Sequence, residues 1–159
     1  IKMKNRLIYF VHGTTYDNAS KKCSGWKQVE LNDLGKEQAI NLGKINSNIS
    51  FDVIFTSDLI RAIDSAELAF PDAKKIQDKR LRECNYGDLD GGDKNLIVYE
   101  EHIQKNISKE YSGKIIGIVA HRAPQLALEA ITKKISWEEA IRDDWRKTGD
   151  WKPGWEYYI

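Results

Sequence analysis

Two of the three histidines in this chain, His12 and His121, each follow directly on a short apolar run, Leu7-Ile8-Tyr9-Phe10-Val11 and Ile115-Ile116-Gly117-Ile118-Val119-Ala120. Taken singly, either one is unremarkable, since a histidine after a strand can simply satisfy a backbone group. Together with an arginine, Arg61, one turn into a helix, and a carboxylate, Glu83, in a loop between the two, they form a set with a definite use. A neutral imidazole can attack phosphorus in line and become a covalent phosphohistidine. A guanidinium can hold two phosphate oxygens in a fork, a second imidazole can share the load of spreading charge over the equatorial oxygens, and a carboxylic acid can protonate the leaving oxygen. This chemistry asks for no metal and no cofactor.

For these residues to act together, the chain must bring them to one place. The continuous apolar runs predict central strands buried on both faces. Residues 33–43 carry apolar side chains at helical spacing behind a capping residue, Asn32. Residues 51–56 predict a second strand, and Ser57-Asp58 predict the cap of a helix running to about Phe70, where Pro71 stops it. Residues 74–77 read as a short edge strand, 81–92 as a loop and 95–111 as a polar helix. Lys114 opens the next strand, and Pro124 stands at the opening of a helix over 125–132. Ser136-x-x-Glu139 is a capping box before a last helix, and 154–159 predict a terminal strand. Strands alternating with helices give an α/β class, a three-layer α/β/α sandwich with a mostly parallel central sheet. Ligands in such folds sit beyond the carboxyl ends of the strands. His12, Ser57-Asp58 and His121 all fall there.

The motifs now resemble a known family. His12-Gly13-x-Thr15-x-x-Asn18 resembles the R-H-G-x-T-x-x-N signature of the histidine phosphatase (phosphoglycerate mutase-like) superfamily. The match runs on through Gly25-Trp26, Leu31-x-x-Leu34-Gly35-x-x-Gln38-Ala39, Thr56-Ser57-Asp58-Leu59-x-Arg61-Ala62, Leu81-Arg82-Glu83-x-x-Tyr86-Gly87 and Val119-Ala120-His121, in order, over roughly residues 6–131. The resemblance implies a phosphoglycerate mutase-like fold. It makes His12 the nucleophile, Arg61 and His121 the phosphoryl clamp, and Glu83 the acid that then serves as base for water. Thr15 and Asn18 then contact phosphate or order the loop, while Gly13 lets the loop pass close to the imidazole and lends its carbonyl to fix the tautomer. One position departs: the family has arginine before the nucleophile, and here the residue is Val11. Either the protein is a phosphate-binding pseudoenzyme or another cation stands in. Arg122, next to His121, is the candidate for that second substrate-binding role.

The favoured activity is metal-independent phosphomonoester hydrolysis, with mutase-type phosphoryl transfer as the alternative. A mutase needs a larger lid than residues 92–120 offer. The substrate expected is a small phosphorylated metabolite or a phosphoprotein. A metal hydrolase finds little support, because the remaining histidine, His102, stands in Glu100-Glu101-His102 without a metal-binding spacing. With 25 Lys plus Arg against 24 Asp plus Glu, a net charge of +1, and basic residues spread along the chain, no nucleic-acid surface is expected. No apolar run reaches membrane-spanning length, so no membrane partner is expected either. No secretory leader pattern precedes the first strand, and two cysteines, Cys23 and Cys84, with no C-x-x-C pair fit reduced thiols in a cytoplasmic protein. Length and the scarcity of proline fit a single domain over 1–159. The oligomeric state stays open. The tryptophans crowded after residue 136 either pack the last elements onto the core or line the pocket.

Overall fold

The computed structural model describes residues 3–83, 99, 101–149 and 152–159. Five strands form one sheet: β1 (Arg6–Val11), β2 (Val53–Thr56), β3 (Lys75–Gln77), β4 (Ile115–Ala120) and β5 (Trp155–Tyr158), in the order β3-β2-β4-β1-β5. β1, β2, β3 and β4 run parallel, and β5 closes the edge antiparallel to β1, with Arg6 opposite Tyr158 and Tyr9 opposite Trp155. The two apolar runs around the histidines become the paired central strands β1 and β4, Val11 opposite Ala120.

Their continuous apolarity has a simple cause: side chains alternate between two covered faces. Leu7 and Tyr9 of β1 join Val53, Ile116, Ile118, Leu128, Trp155 and Tyr157 on one side. Ile8 and Phe10 join Leu42, Ile54, Ala66, Phe70 and Val119 on the other. Helices α2 (Asp33–Ile45) and α3 (Ile60–Ala69) supply the second layer. The first is covered by α4 (Arg122–Lys133) and by the helical stretch Glu101–Ile107 with its continuation Ser108–Glu110. The expected three-layer α/β/α arrangement is thus formed.

Local signals hold at several boundaries. The Asn32 side chain accepts from the Gly35 amide to start α2, and Ser136 and Glu139 exchange both bonds of a capping box ahead of α5 (Trp137–Arg142). Others shift. β2 begins at Val53, two residues after the expected start, because Asp52 turns aside to accept from the Ile115 amide. Ser57 and Asp58 are not the N-cap of α3: Leu59 holds it without a side-chain bond, while Ser57 Oγ accepts from the Leu59 amide at 3.3 Å and bonds His121, and Asp58 grips Arg82 through two bonds of 2.6 and 2.7 Å. α4 starts at Arg122, which puts Pro124 at its third position, still within the turn that has no amide partner to lose. The expected polar helix over 95–111 has a buried side, since Ile103 and Ile107 lie in the core; much of its first turn and most of the loop at 81–92 lie outside the described residues. Two short helices, α1 (Tyr16–Ala19) and α6 (Trp145–Thr148), complete the fold. Among the described residues no helix is long and apolar enough to cross a membrane.

Candidate active site

The carboxyl ends of β1, β2 and β4 meet, and with them His12, Ser57 and His121. The two imidazoles face each other edge to face, ring centroids 5.1 Å apart at 63°. His12 Nδ1–H donates to the Gly13 carbonyl at 2.7 Å. A carbonyl can only accept, so this bond fixes the proton on Nδ1 and leaves the lone pair on Nε2. Burial pulls the His12 pKa down to about 4; the Gly13 bond opposes this, and the charges of Arg61 and Arg146 push the same way as burial. At neutral pH the imidazole is uncharged, the form that can attack.

The loop carrying His12 is tied down from several sides. The Gly13 amide donates to Ser65 Oγ, which in turn donates to the Arg61 carbonyl. Thr14 gives both its amide and its hydroxyl to Gln38 Oε1 and accepts from the Asn32 amide. Gly13 and Gly35 touch backbone to backbone: a Cβ on Gly13 would stand 2.3 Å from the Gly35 carbonyl oxygen, and one on Gly35 2.0 Å from that of Thr14. Thr15 and Asn18 bond each other in a capping box that starts α1. These bonds order the loop, and Asn18 also lines the cavity beside His12.

His121 is fully buried and held at both ends. Tyr9 Oη donates to its carbonyl at 2.6 Å and accepts from its amide at 3.1 Å, while its Nε2 is 2.6 Å from Ser57 Oγ. Its pKa lies well below the usual histidine value, because of burial first and then the charges of His12 and Arg61. Arg61 projects from the first turn of α3, buried to 2 % exposure, with Nη1 and Nη2 donating to the carbonyls of Lys27 and Gly25. Glu83 reaches the start of α4, where its Oε1 accepts from the Ala123 amide; its carbonyl accepts from Trp26 Nε1. All four residues of the expected chemical set therefore converge on the ends of the central strands.

Arg122 has no free guanidinium to set beside them. Its guanidinium is bound by Asp144, a carboxylate only 1 % exposed, through Nε at 2.5 Å and through Nη2. A buried carboxylate left without that partner would be costly, so the pairing occupies Arg122. Nor does Arg122 line the cavity beside His12. That cavity, about 530 Å³, is bounded by Val11, His12, Lys21, Lys22, Trp145 and Arg146 among others, and no carboxylate is among its described lining residues. Arg146 and the two lysines escaped the sequence reading because no motif marks them; α6, which carries Arg146, is four residues long and takes its place through long-range packing. His102 is buried against Phe55, with its Nε2 3.2 Å from Asp78, far from a solvated helix face. Among the described residues no cluster of three or more His, Cys, Asp or Glu side chains could hold a metal ion. Of the tryptophans, Trp155 is in the core and Trp145 stacks on it at 5.6 Å while also reaching the cavity, so the two expectations for them are each met in part.

A family model, that of the histidine phosphatase superfamily (branch 1), matches residues 8–111. The chain belongs to this superfamily. Among curated histidine phosphatase relatives, a 2,3-bisphosphoglycerate-dependent phosphoglycerate mutase of Arthrobacter sp. (strain FB24) is 39 % identical over 105 residues, 62 % of this chain and 42 % of the relative. The chain thus spans less than half the length of that relative. Among solved structures, the α-ribazole phosphatase from Shigella flexneri superposes with a TM-score of 0.73 at 20 % identity, covering 86 % of this chain and 84 % of the other. A phosphoserine phosphatase from Entamoeba histolytica, solved with 3-phosphoglyceric acid, superposes with a TM-score of 0.72 at 19 % identity over 87 % and 84 %. Both share the fold of this chain, and the superfamily includes phosphatases and mutases alike.

Proposed function

We propose that the protein is a phosphomonoester hydrolase working through a phosphohistidine on His12, with a small phosphorylated metabolite as substrate. The observation that carries this reading is the 2.7 Å bond from His12 Nδ1–H to the Gly13 carbonyl, which leaves Nε2 as an uncharged nucleophile at the end of β1. Nε2 attacks phosphorus as the ester P–O bond breaks, and Glu83 gives its proton to the departing oxygen. Water then attacks the phosphohistidine, Glu83 takes its proton, and the N–P bond breaks to release phosphate and restore Nε2. Arg61 and His121 carry the charge on the transferring group, and a cavity lined by Lys21, Lys22 and Arg146 suits a dianion. The acceptor is water in this reading because residues 92–120 leave little chain for an enclosing lid. The test is a phosphate-release screen over phosphorylated metabolites, 2,3-bisphosphoglycerate and 3-phosphoglycerate included, with EDTA present and His12→Ala as control. Release that persists in EDTA and vanishes in the variant is expected. Release that survives in the variant overturns the mechanism, and mutase turnover exceeding hydrolysis overturns the choice of water.

A further inference from the structure

β1 brings no cation to its own nucleophile. The residue before His12 is Val11, an aliphatic side chain packed against the core. A group that becomes charged and then carries a phosphoryl dianion needs more positive charge than one arginine supplies, and Arg61 already directs two donors at the carbonyls of Gly25 and Lys27. The other guanidinium at the site comes from the far end of the chain. Arg146 lines the same cavity as His12, and among the described residues it makes no ion pair with a carboxylate.

Its position is built. Asp144 caps α6 by accepting from the Arg146 amide at 3.1 Å, and the same carboxylate is locked by Arg122. Trp145 packs against Trp155 of β5, the rings tilted by 41°, and the Arg146 guanidinium lies over the Trp145 ring, 5.5 Å from its centroid. Arg122, Asp144 and the two indoles thus form a mount that points one arginine at the His12 cavity. We propose that Arg146 is a phosphoryl-binding residue of this site, with Arg122 and Asp144 as the positioning pair that presents it.

This inference rests on the hydrolase reading above, and the experiment separates the two. The whole chain is assayed with p-nitrophenyl phosphate for kcat/KM and with inorganic phosphate for binding by calorimetry. The set is wild type, Arg146→Ala, Arg146→Lys, Arg122→Ala, the Arg122→Ala/Arg146→Ala double variant, and Arg142→Ala as an exposed control. A charge-assisted hydrogen bond to phosphate corresponds to about a 10- to 100-fold effect. Arg146→Ala is expected to lower kcat/KM and phosphate affinity by that factor at unchanged Tm, Arg146→Lys to keep part of both, and Arg142→Ala to match wild type. The acid limb of kcat/KM should move to higher pH in Arg146→Ala, since a cation beside His12 is gone. Arg122→Ala should lower kcat/KM in the wild type but add nothing once Arg146 is absent, an outcome a purely structural role would not give. Wild-type turnover and phosphate binding that Arg146→Ala leaves intact overturn the inference alone. A wild type that neither turns over substrate nor binds phosphate overturns the hydrolase reading and the inference with it.

Discussion

Replacing Gly35 by alanine should do the opposite of what helix propensity dictates. Gly35 sits in the first turn of α2, where alanine ordinarily stabilises by about 1 kcal/mol. Here the new Cβ would stand 2.0 Å from the Thr14 carbonyl oxygen and 2.7 Å from its amide nitrogen. Ordinary carbon contacts lie near 3.5 Å, so helix and loop must part by about 1.5 Å. Overpacking costs about 1–3 kcal/mol, and a clash with backbone at 2.0 Å belongs at the upper end, so about 2 kcal/mol remains after the propensity gain. For a domain of this size each kcal/mol moves Tm by about 2–4 °C, so a fall of about 4–8 °C is expected by circular dichroism. The functional loss should be larger. The loop that moves carries His12 and the Gly13 carbonyl that sets its tautomer, and a displacement of about 1 Å at a reacting group can cost about 100-fold. A variant that melts higher than wild type, with kcat/KM on p-nitrophenyl phosphate unchanged, would show that the glycine contact does not hold His12 in place.

Three further outcomes follow from the same geometry. His12 titrates near 4 when folded and near 6.5 when unfolded, and His121 is lowered in the same direction. Protons therefore bind the unfolded chain first. Stability should be full above pH 6.5 and decline as pH falls towards 4, and His12→Gln should reduce that slope in urea midpoints measured from pH 7.5 to 4.5. Arg122→Ala strands a carboxylate that is 1 % exposed and should cost about 3 kcal/mol, whereas Asp144→Asn leaves an arginine that can turn to water and should cost about 1 kcal/mol; urea denaturation that reverses the order refutes the pairing argument. Tyr9→Phe removes both bonds to the His121 backbone and should cost about 1–3 kcal/mol with a drop in kcat, while equal stability would mean that other contacts hold His121 in place.

What the sequence discloses and what it withholds divide along the range of the forces involved. Asn32 before α2 and Ser136 with Glu139 before α5 are legible because caps act within one turn. The runs before His12 and His121 are legible because double-sided burial leaves a continuous apolar stretch. The family motifs make Arg61 and Glu83 visible by type and order. Ser57 and Asp58 mislead because their capping chemistry is spent on distant partners, His121 and Arg82. Arg122 stands next to His121 in sequence, but its charge is paired with Asp144, 22 residues on, which nothing local announces. Arg146 has no local signature at all. Its place is set by an ion pair, an indole stack and a strand edge, each of which exists only after folding.

β1, the strand that leads into His12, lies between β4 and β5, both drawn from much later in the chain. Its last edge pairing, Arg6 with Tyr158, joins residues more than 150 apart, and Arg6 also meets Glu156 through two bonds. During synthesis, then, His12 is made well before β4 and β5 and acquires its surroundings only with them. Until β4 and α4 arrive it has no facing imidazole and no Ala123 amide to seat Glu83, and until α6 arrives its cavity lacks a wall. A nascent chain thus carries this imidazole without its neighbours, and the pocket is complete only once the ribosome has delivered the segments that follow β4.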